Sequence, residues 1–131
     1  MKELTYLHCQ NIRLSDIGNN FYCYLKKHEN SPTIFLILDH QHEKHEMIEA
    51  IEKLKADAKI MPIIVTDVKD KTMRDKLNSL SEGRMFIVQR SGFTMSAMLC
   101  VLPLQRLAYD LTLALGYHPD RPRNLAKELT T

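Results

Sequence analysis

The sequence contains no tryptophan, three cysteines and four glycines in 131 residues, and each shortage argues against a class of protein. Only 7% of the residues are aromatic, which leaves no obvious platform on which nucleic-acid bases could stack. The cysteines are odd in number and form no C-x-x-C motif, so we expect reduced thiols in a cytoplasmic protein. Four glycines provide no glycine-rich loop for cradling phosphates.

Charge and hydropathy place the chain among ordinary globular domains. The net charge of +2 is too small to indicate a nucleic-acid partner, which needs a concentrated basic face. No apolar run approaches the ~18 residues of a membrane span, and no N-terminal signal pattern is present, so we expect no membrane partner. A hydrophobic fraction of 44% in a chain of this length predicts a single core.

The central region alternates between two hydrophobic patterns. Three short apolar runs predict strands at residues 33–38, 60–66 and 85–89, and the first, which is β-branched and does not alternate, suits a strand buried on both faces. Apolar residues at helical spacing predict helices at residues 43–58, 70–80 and 96–115, the last kinked or restarted at Pro103. This order predicts an α/β fold, a three-layer αβα arrangement around a parallel sheet. Three strands are few for such a sheet, so we expect further strands to lie before Met1.

The N-terminal region predicts a helix at residues 3–14, with Leu4, Leu7 and Leu14 on one face and Gly18 as its stop. No N-cap residue precedes Glu3, so the chain begins inside the predicted helix. This suggests a fragment, or a deletion relative to the parent fold. Residues 19–31 are mixed and are compatible with either a short helical turn or an irregular segment.

The C-terminal region divides at Gly116. Before it, an apolar stripe at helical spacing predicts a core helix, formed by Leu104, Leu107, Ala108, Leu111 and Leu115. A helix commonly ends at a residue in the left-handed conformation, which Gly116 can adopt. Pro119 and Pro122 then prevent the helix from resuming. We therefore predict a domain at residues 1–115 and a stiffened, basic C-terminal tail at residues 116–131.

Three stretches carry a resemblance to a known family. Residues 102–116, which include PLQRLAY, and residues 122–127, PRNLAK, are similar in order and spacing to the C-terminus of glutamine–fructose-6-phosphate aminotransferase (glucosamine-6-phosphate synthase). Residues 2–6, KELTY, are similar to the family's KEISY. The resemblance implies a sugar-isomerase (SIS) fold lacking its N-terminal strands, with the tail closing over a phosphosugar as a lid.

The same resemblance assigns candidate site residues. Glu3 matches a glutamate that moves a proton between C1 and C2 of the sugar, and Lys127 matches a lysine that contacts the open-chain sugar. Asn124 and Ala126 are expected to bind the substrate. The alternatives are an exposed glutamate favoured by the helix dipole and a solvated C-terminal lysine. No cofactor is implied.

One position departs from the family. A histidine that serves ring opening in the neighbouring subunit corresponds here to Asn19, which cannot titrate near neutral pH. The chain alone is therefore expected to be inactive, as a piece of an enzyme that acts on fructose 6-phosphate or glucosamine 6-phosphate. The alternative is a degenerate SIS domain that senses a sugar phosphate or only dimerises. Expected partners are a phosphosugar and either a second copy or other SIS and glutaminase domains.

Two further motifs have simpler explanations. The loop at residues 90–94 follows a strand and precedes a helix, as phosphate loops do, but Thr94 or Ser96 acting as an N-cap beside Gly92 is the preferred interpretation. A cluster rich in histidine and carboxylate has the spacing of metal ligands, namely Asp39, His40, His42, His45 and Glu46. A solvated helix start explains it better, so no metal is predicted.

Overall fold

The computed structural model describes residues 2–17 and 21–121. They fall into two compact units. One joins the residues up to Asn11 with those from Leu102 onward, and the other runs from Ile12 to Val101. The boundary predicted between residues 115 and 116 stays a prediction.

The second unit holds the sheet. Its elements in chain order are a 3-10 turn (Leu14–Asp16), α2 (Tyr22–Lys27), β1 (Pro32–Ile37), α3 (Lys44–Ala58), β2 (Met61–Thr66), α4 (Lys71–Ser81), β3 (Met85–Ile87) and α5 (Phe93–Leu99). The other unit holds α1 (Lys2–Thr5) and almost all of α6 (Val101–Ala114).

The three strands form one parallel sheet in the order β1-β2-β3. Helices α3 and α4 connect successive strands and pack on the sheet and on each other, while α2 packs on α3. The chain crosses the sheet in one direction, from β1 to β2 to β3. Crossover connections of the same hand then place α3 and α4 on the same face of the sheet. The predicted α/β, SIS-type fold with a parallel sheet is thus confirmed, as are the positions of all three strands to within two residues.

The core of the second unit lies between that face and the helices. Residues that share the face by register include Phe35 opposite Ile64, and Ile64 opposite Met85. The buried cluster consists of Leu25, Phe35, Ile37, Ile48, Ile51, Leu54, Ala58, Ile60, Ile64, Val68 and Leu77. Ile51, Leu54 and Ala58 of α3 are in this cluster, because their spacing of three and four residues places them on one face of the helix.

Both crossover helices end in a left-handed residue. Lys59 (φ 48°) directly follows α3 and Glu82 (φ 53°) directly follows α4, in a conformation that strains a non-glycine residue. Helix α4 begins with an N-cap, because Asp70 Oδ1 accepts a 2.7 Å hydrogen bond from the Met73 N–H. Hydrogen bonds from Lys55 and Arg84 hold the pKa of the Glu82 carboxyl below its ordinary value.

The predicted N-terminal helix at residues 3–14 was wrong. The helix ends at Thr5, and Tyr6 has a left-handed φ of 57° that a continuing helix cannot accommodate. The Thr5 hydroxyl accepts a hydrogen bond from the Leu7 N–H at 3.3 Å, a local bond that competes with the helical pattern. The undecided segment at residues 19–31 contains α2.

The predicted long helix at residues 96–115 is two helices that meet at Cys100. Pro103 is the third residue of α6, where no backbone donor is required. Gly116 has a φ of +75° and ends the helix as predicted, and the Tyr117 N–H donates back to the Thr112 carbonyl at 2.9 Å. Leu115, predicted to be buried, is exposed.

Within residues 2–17 and 21–121, one stretch, Phe93–Ala114, is long and apolar enough to cross a membrane by length and composition alone. Core helices of globular proteins meet the same criterion. This stretch contains a proline near its middle and an exposed ion pair between Arg106 and Asp110 at 2.8 Å. The expectation that the chain has no membrane partner stays a prediction.

Candidate functional site

The carboxyl ends of the three strands bring charged residues together. Each strand in a parallel sheet ends at the same edge, and ligands of open α/β sheets bind in the crevice beyond that edge. Here β1 is followed by Asp39 and His40, β2 by Asp67, and β3 by Arg90. We call these four residues, together with Lys44 at the start of α3, the strand-end cluster.

Asp39 is the centre of the strand-end cluster. Its Oδ2 lies 2.7 Å from Nη1 of Arg90, and its Oδ1 lies 3.1 Å from Nζ of Lys44. Lys44 Nζ also donates to the backbone carbonyl of Asp39 at 2.9 Å. The Asp39 side chain is only 16% exposed, so these ion pairs are partly shielded from water. One carboxylate therefore ties the loop after β1 to the loop after β3 and to the first residue of α3.

Asp67, in the loop after β2, is buried and only 2% exposed. Its Oδ1 accepts a hydrogen bond from the Asp39 backbone N–H at 2.7 Å, which joins the loop after β2 to the loop after β1. Its Oδ2 is buried and has no hydrogen-bond partner within the described part of the chain. Burial, with the nearby negative charge of Asp67 adding to it, raises the pKa of the Cys100 thiol above its ordinary value.

His40, like Asp67, has a buried polar atom for which the described residues provide no hydrogen-bond partner. Its ring packs edge-on against Phe93, with the ring centroids 4.5 Å apart. Its Nε2 is buried and, among the residues described, has no hydrogen-bond partner. A buried carboxylate oxygen and a buried imidazole nitrogen can each bind a hydroxyl group or a water molecule.

The loop after β3 is fixed by hydrogen bonds within the protein. The Ser91 N–H donates to Ser96 Oγ at 3.0 Å, and Ser96 Oγ donates back to the Ser91 carbonyl at 3.2 Å. Gly92 is the N-cap of α5 and makes no side-chain hydrogen bond, so the prediction that Thr94 or Ser96 caps this helix was wrong. The Ser96 hydroxyl is occupied by the loop and is not free for a phosphate.

The histidine-rich stretch after β1 does not assemble into a metal site within residues 2–17 and 21–121. No group of three or more His, Cys, Asp or Glu side chains in that part of the chain could hold a metal ion. Asp39 instead binds Lys44 and Arg90. The chemistry of this stretch is therefore ion pairing between loops.

The residues assigned by family resemblance are not tested by this geometry. The backbone of Glu3 belongs to α1. Asn19, Asn124, Ala126 and Lys127 lie outside the described residues. Their roles stay predictions.

Sequence reasoning missed Asp67 and gave no role to Arg90 as a partner of Asp39. A signal for Asp67 was present, because it directly follows a strand that reads as buried on both faces. A charged residue at the carboxyl end of such a strand must find partners at the sheet edge. The pairing of Asp39 with Arg90 spans 51 positions and depends on strand order, which local patterns do not specify.

Comparisons with known proteins give a consistent result, although no protein-family profile matches the chain. The chain is 30% identical over 132 residues to glutamine–fructose-6-phosphate aminotransferase (isomerizing) 1 of Rattus norvegicus. It is 27% identical over 130 residues to a probable enzyme of that name from Schizosaccharomyces pombe, and 28% identical over 130 residues to that of Thermococcus kodakarensis.

Each of these alignments covers 99% of this chain but only 18%, 17% and 20%, respectively, of the relative. The chain thus spans about a fifth of the length of the proteins that it matches. The similarity thus extends beyond the short motifs, over 99% of the chain at 27–30% identity. This chain is a homologue of one part of the glutamine–fructose-6-phosphate aminotransferases.

Proposed function

We propose that this chain is the C-terminal SIS portion of a glutamine–fructose-6-phosphate aminotransferase-like protein, and that it binds a phosphosugar in amino-sugar synthesis. The observation that carries the proposal is the alignment of 99% of the chain with enzymes of that name. Fructose 6-phosphate and glucosamine 6-phosphate are the ligands to consider. We propose a cytoplasmic location, as the odd number of cysteines without a C-x-x-C motif leads us to expect.

The proposal assigns the chemistry to both termini. Glu3 moves a proton between C1 and C2 of the open-chain sugar, as a carboxylate positioned beside an enediol can do. Lys127 places its amine against the sugar oxygen, and Asn124 and Ala126 hold the sugar in position. The PRNLAK match at residues 122–127 supports the roles of Asn124, Ala126 and Lys127, and the KELTY match at residues 2–6 supports that of Glu3.

The strand-end cluster has a supporting role in this proposal. Both of its cations already pair with Asp39, and Asp67 adds a second carboxylate, so we propose that it does not form a phosphate site of its own. What it does is fix the three loops at the edge where ligands of parallel sheets bind. The phosphate is then held by another part of the enzyme, and the relatives are five to six times as long as the matched segment.

Asn19 bears on how far the chain can act alone. Because an asparagine cannot exchange a proton near neutral pH, the ring-opening role of the family's histidine is missing. The chain also spans only about a fifth of its relatives' length. We therefore propose that turnover requires a glutaminase domain and a first SIS domain, supplied by a longer chain or by a partner.

Binding is tested by calorimetric titration of the chain with fructose 6-phosphate, glucosamine 6-phosphate and, as a negative control, inorganic phosphate, because this chain is proposed to hold the sugar rather than the phosphate. We expect heat of binding with the phosphosugars that Lys127→Ala weakens at least about tenfold, a change of about 1.4 kcal/mol. The matched control is Lys27→Ala, which removes an exposed lysine in the last turn of α2. Equal weakening by both variants, or no binding to either phosphosugar, contradicts the proposal.

Turnover is tested by mixing the chain with the glutaminase and first SIS domains of the Thermococcus kodakarensis relative, together with glutamine and fructose 6-phosphate. Glucosamine 6-phosphate that forms with the chain and is lost with Glu3→Gln supports the enzyme role. Binding of fructose 6-phosphate without any product indicates a sensor instead.

A further inference from the structure

We draw no further inference here: the strongest candidate, the side-chain pair of Asp67 and His40 beyond the carboxyl ends of β2 and β1, whose Oδ2 and Nε2 atoms are buried without a hydrogen-bond partner among the described residues, belongs to the strand-end cluster already described and requires nothing beyond the hydroxyl group or water molecule assigned to it there.

Discussion

Replacing Asp39 with alanine should lower the free energy of unfolding by about 2 kcal/mol. The substitution removes ion pairs to Arg90 at 2.7 Å and to Lys44 at 3.1 Å. Fully exposed pairs contribute only about 0.2–1 kcal/mol, whereas hydrogen bonds to charged groups in shielded positions contribute about 1.5–3 kcal/mol. Asp39 is 16% exposed and Lys44 23%, but Arg90 is 43% exposed. The expected loss of about 2 kcal/mol is therefore larger than that of an exposed pair and lies in the lower part of the range for shielded ones.

Thermal and urea unfolding monitored by circular dichroism measure this effect. For a chain of this length, about 2 kcal/mol corresponds to a decrease of about 6–8 °C in the melting temperature. Asp39→Asn, which keeps a side-chain oxygen but loses the charge, should be intermediate. Glu52→Ala is the matched control. It breaks a 2.8 Å ion pair with Lys76, but both side chains are more than two-fifths exposed, so its effect should be within about 0.5 kcal/mol.

If Asp39→Ala is no more destabilising than Glu52→Ala, the partial burial of Asp39 does not strengthen its ion pairs, which contradicts this prediction. A double-mutant cycle of Asp39→Ala with Arg90→Ala isolates the contact between the loops after β1 and β3. A coupling energy of about 1 kcal/mol is expected. A value near zero would assign the stabilisation by Asp39 to Lys44 alone.

Other perturbations test separate features of the structure. Cys23 is exposed, while Cys100 is buried with a raised pKa, so mass spectrometry should find iodoacetamide on Cys23 first and on Cys100 only after unfolding; equal rates would contradict this. Lys59→Gly should stabilise the protein by about 0.5–1 kcal/mol in urea unfolding, because Lys59 has a left-handed φ of 48°. The lowered pKa of Glu82 gives stability that is complete above the ordinary glutamate pKa of about 4.3 and is lost as pH falls through the lower folded value. Glu82→Gln should therefore flatten the acid side of the stability curve, and an unchanged slope there would count against the ion pairs.

Much of the sheet could be predicted from sequence because strand signals are local. The run TIFLIL and the run that ends in Thr66 are apolar without alternation, which is the pattern of a strand covered on both faces. Helix α4 was also predictable, because its apolar spacing begins directly after the capping residue Asp70. Gly116 was found for a similar reason, since a left-handed helix end strongly favours glycine.

The failures have a different physical origin. The residues after Thr5 have helical spacing, yet the backbone of Tyr6 turns into the left-handed region. Spacing reports which residues could share a face, whereas the Thr5 hydroxyl competes locally for the Leu7 backbone donor. The strand-end cluster was missed because its members come from three separate loops. Only the order of strands in the sheet makes Asp39 and Arg90 neighbours.

The charge balance of the strand-end cluster also bears on where a phosphosugar can bind. Both cations already face Asp39, so a phosphate that bound Arg90 through the same Nη1 would displace a carboxylate oxygen 2.7 Å away. Such an exchange gains little, since one anion replaces another while Asp39, 16% exposed, loses its partner. Asp67 Oδ2 and His40 Nε2, in contrast, have no hydrogen-bond partner among the described residues, and a hydroxyl group or a water molecule would satisfy either. The strand ends of this chain are therefore suited to hydroxyl groups or water rather than to phosphate, which is what a composite site requires if its phosphate loop belongs to another domain.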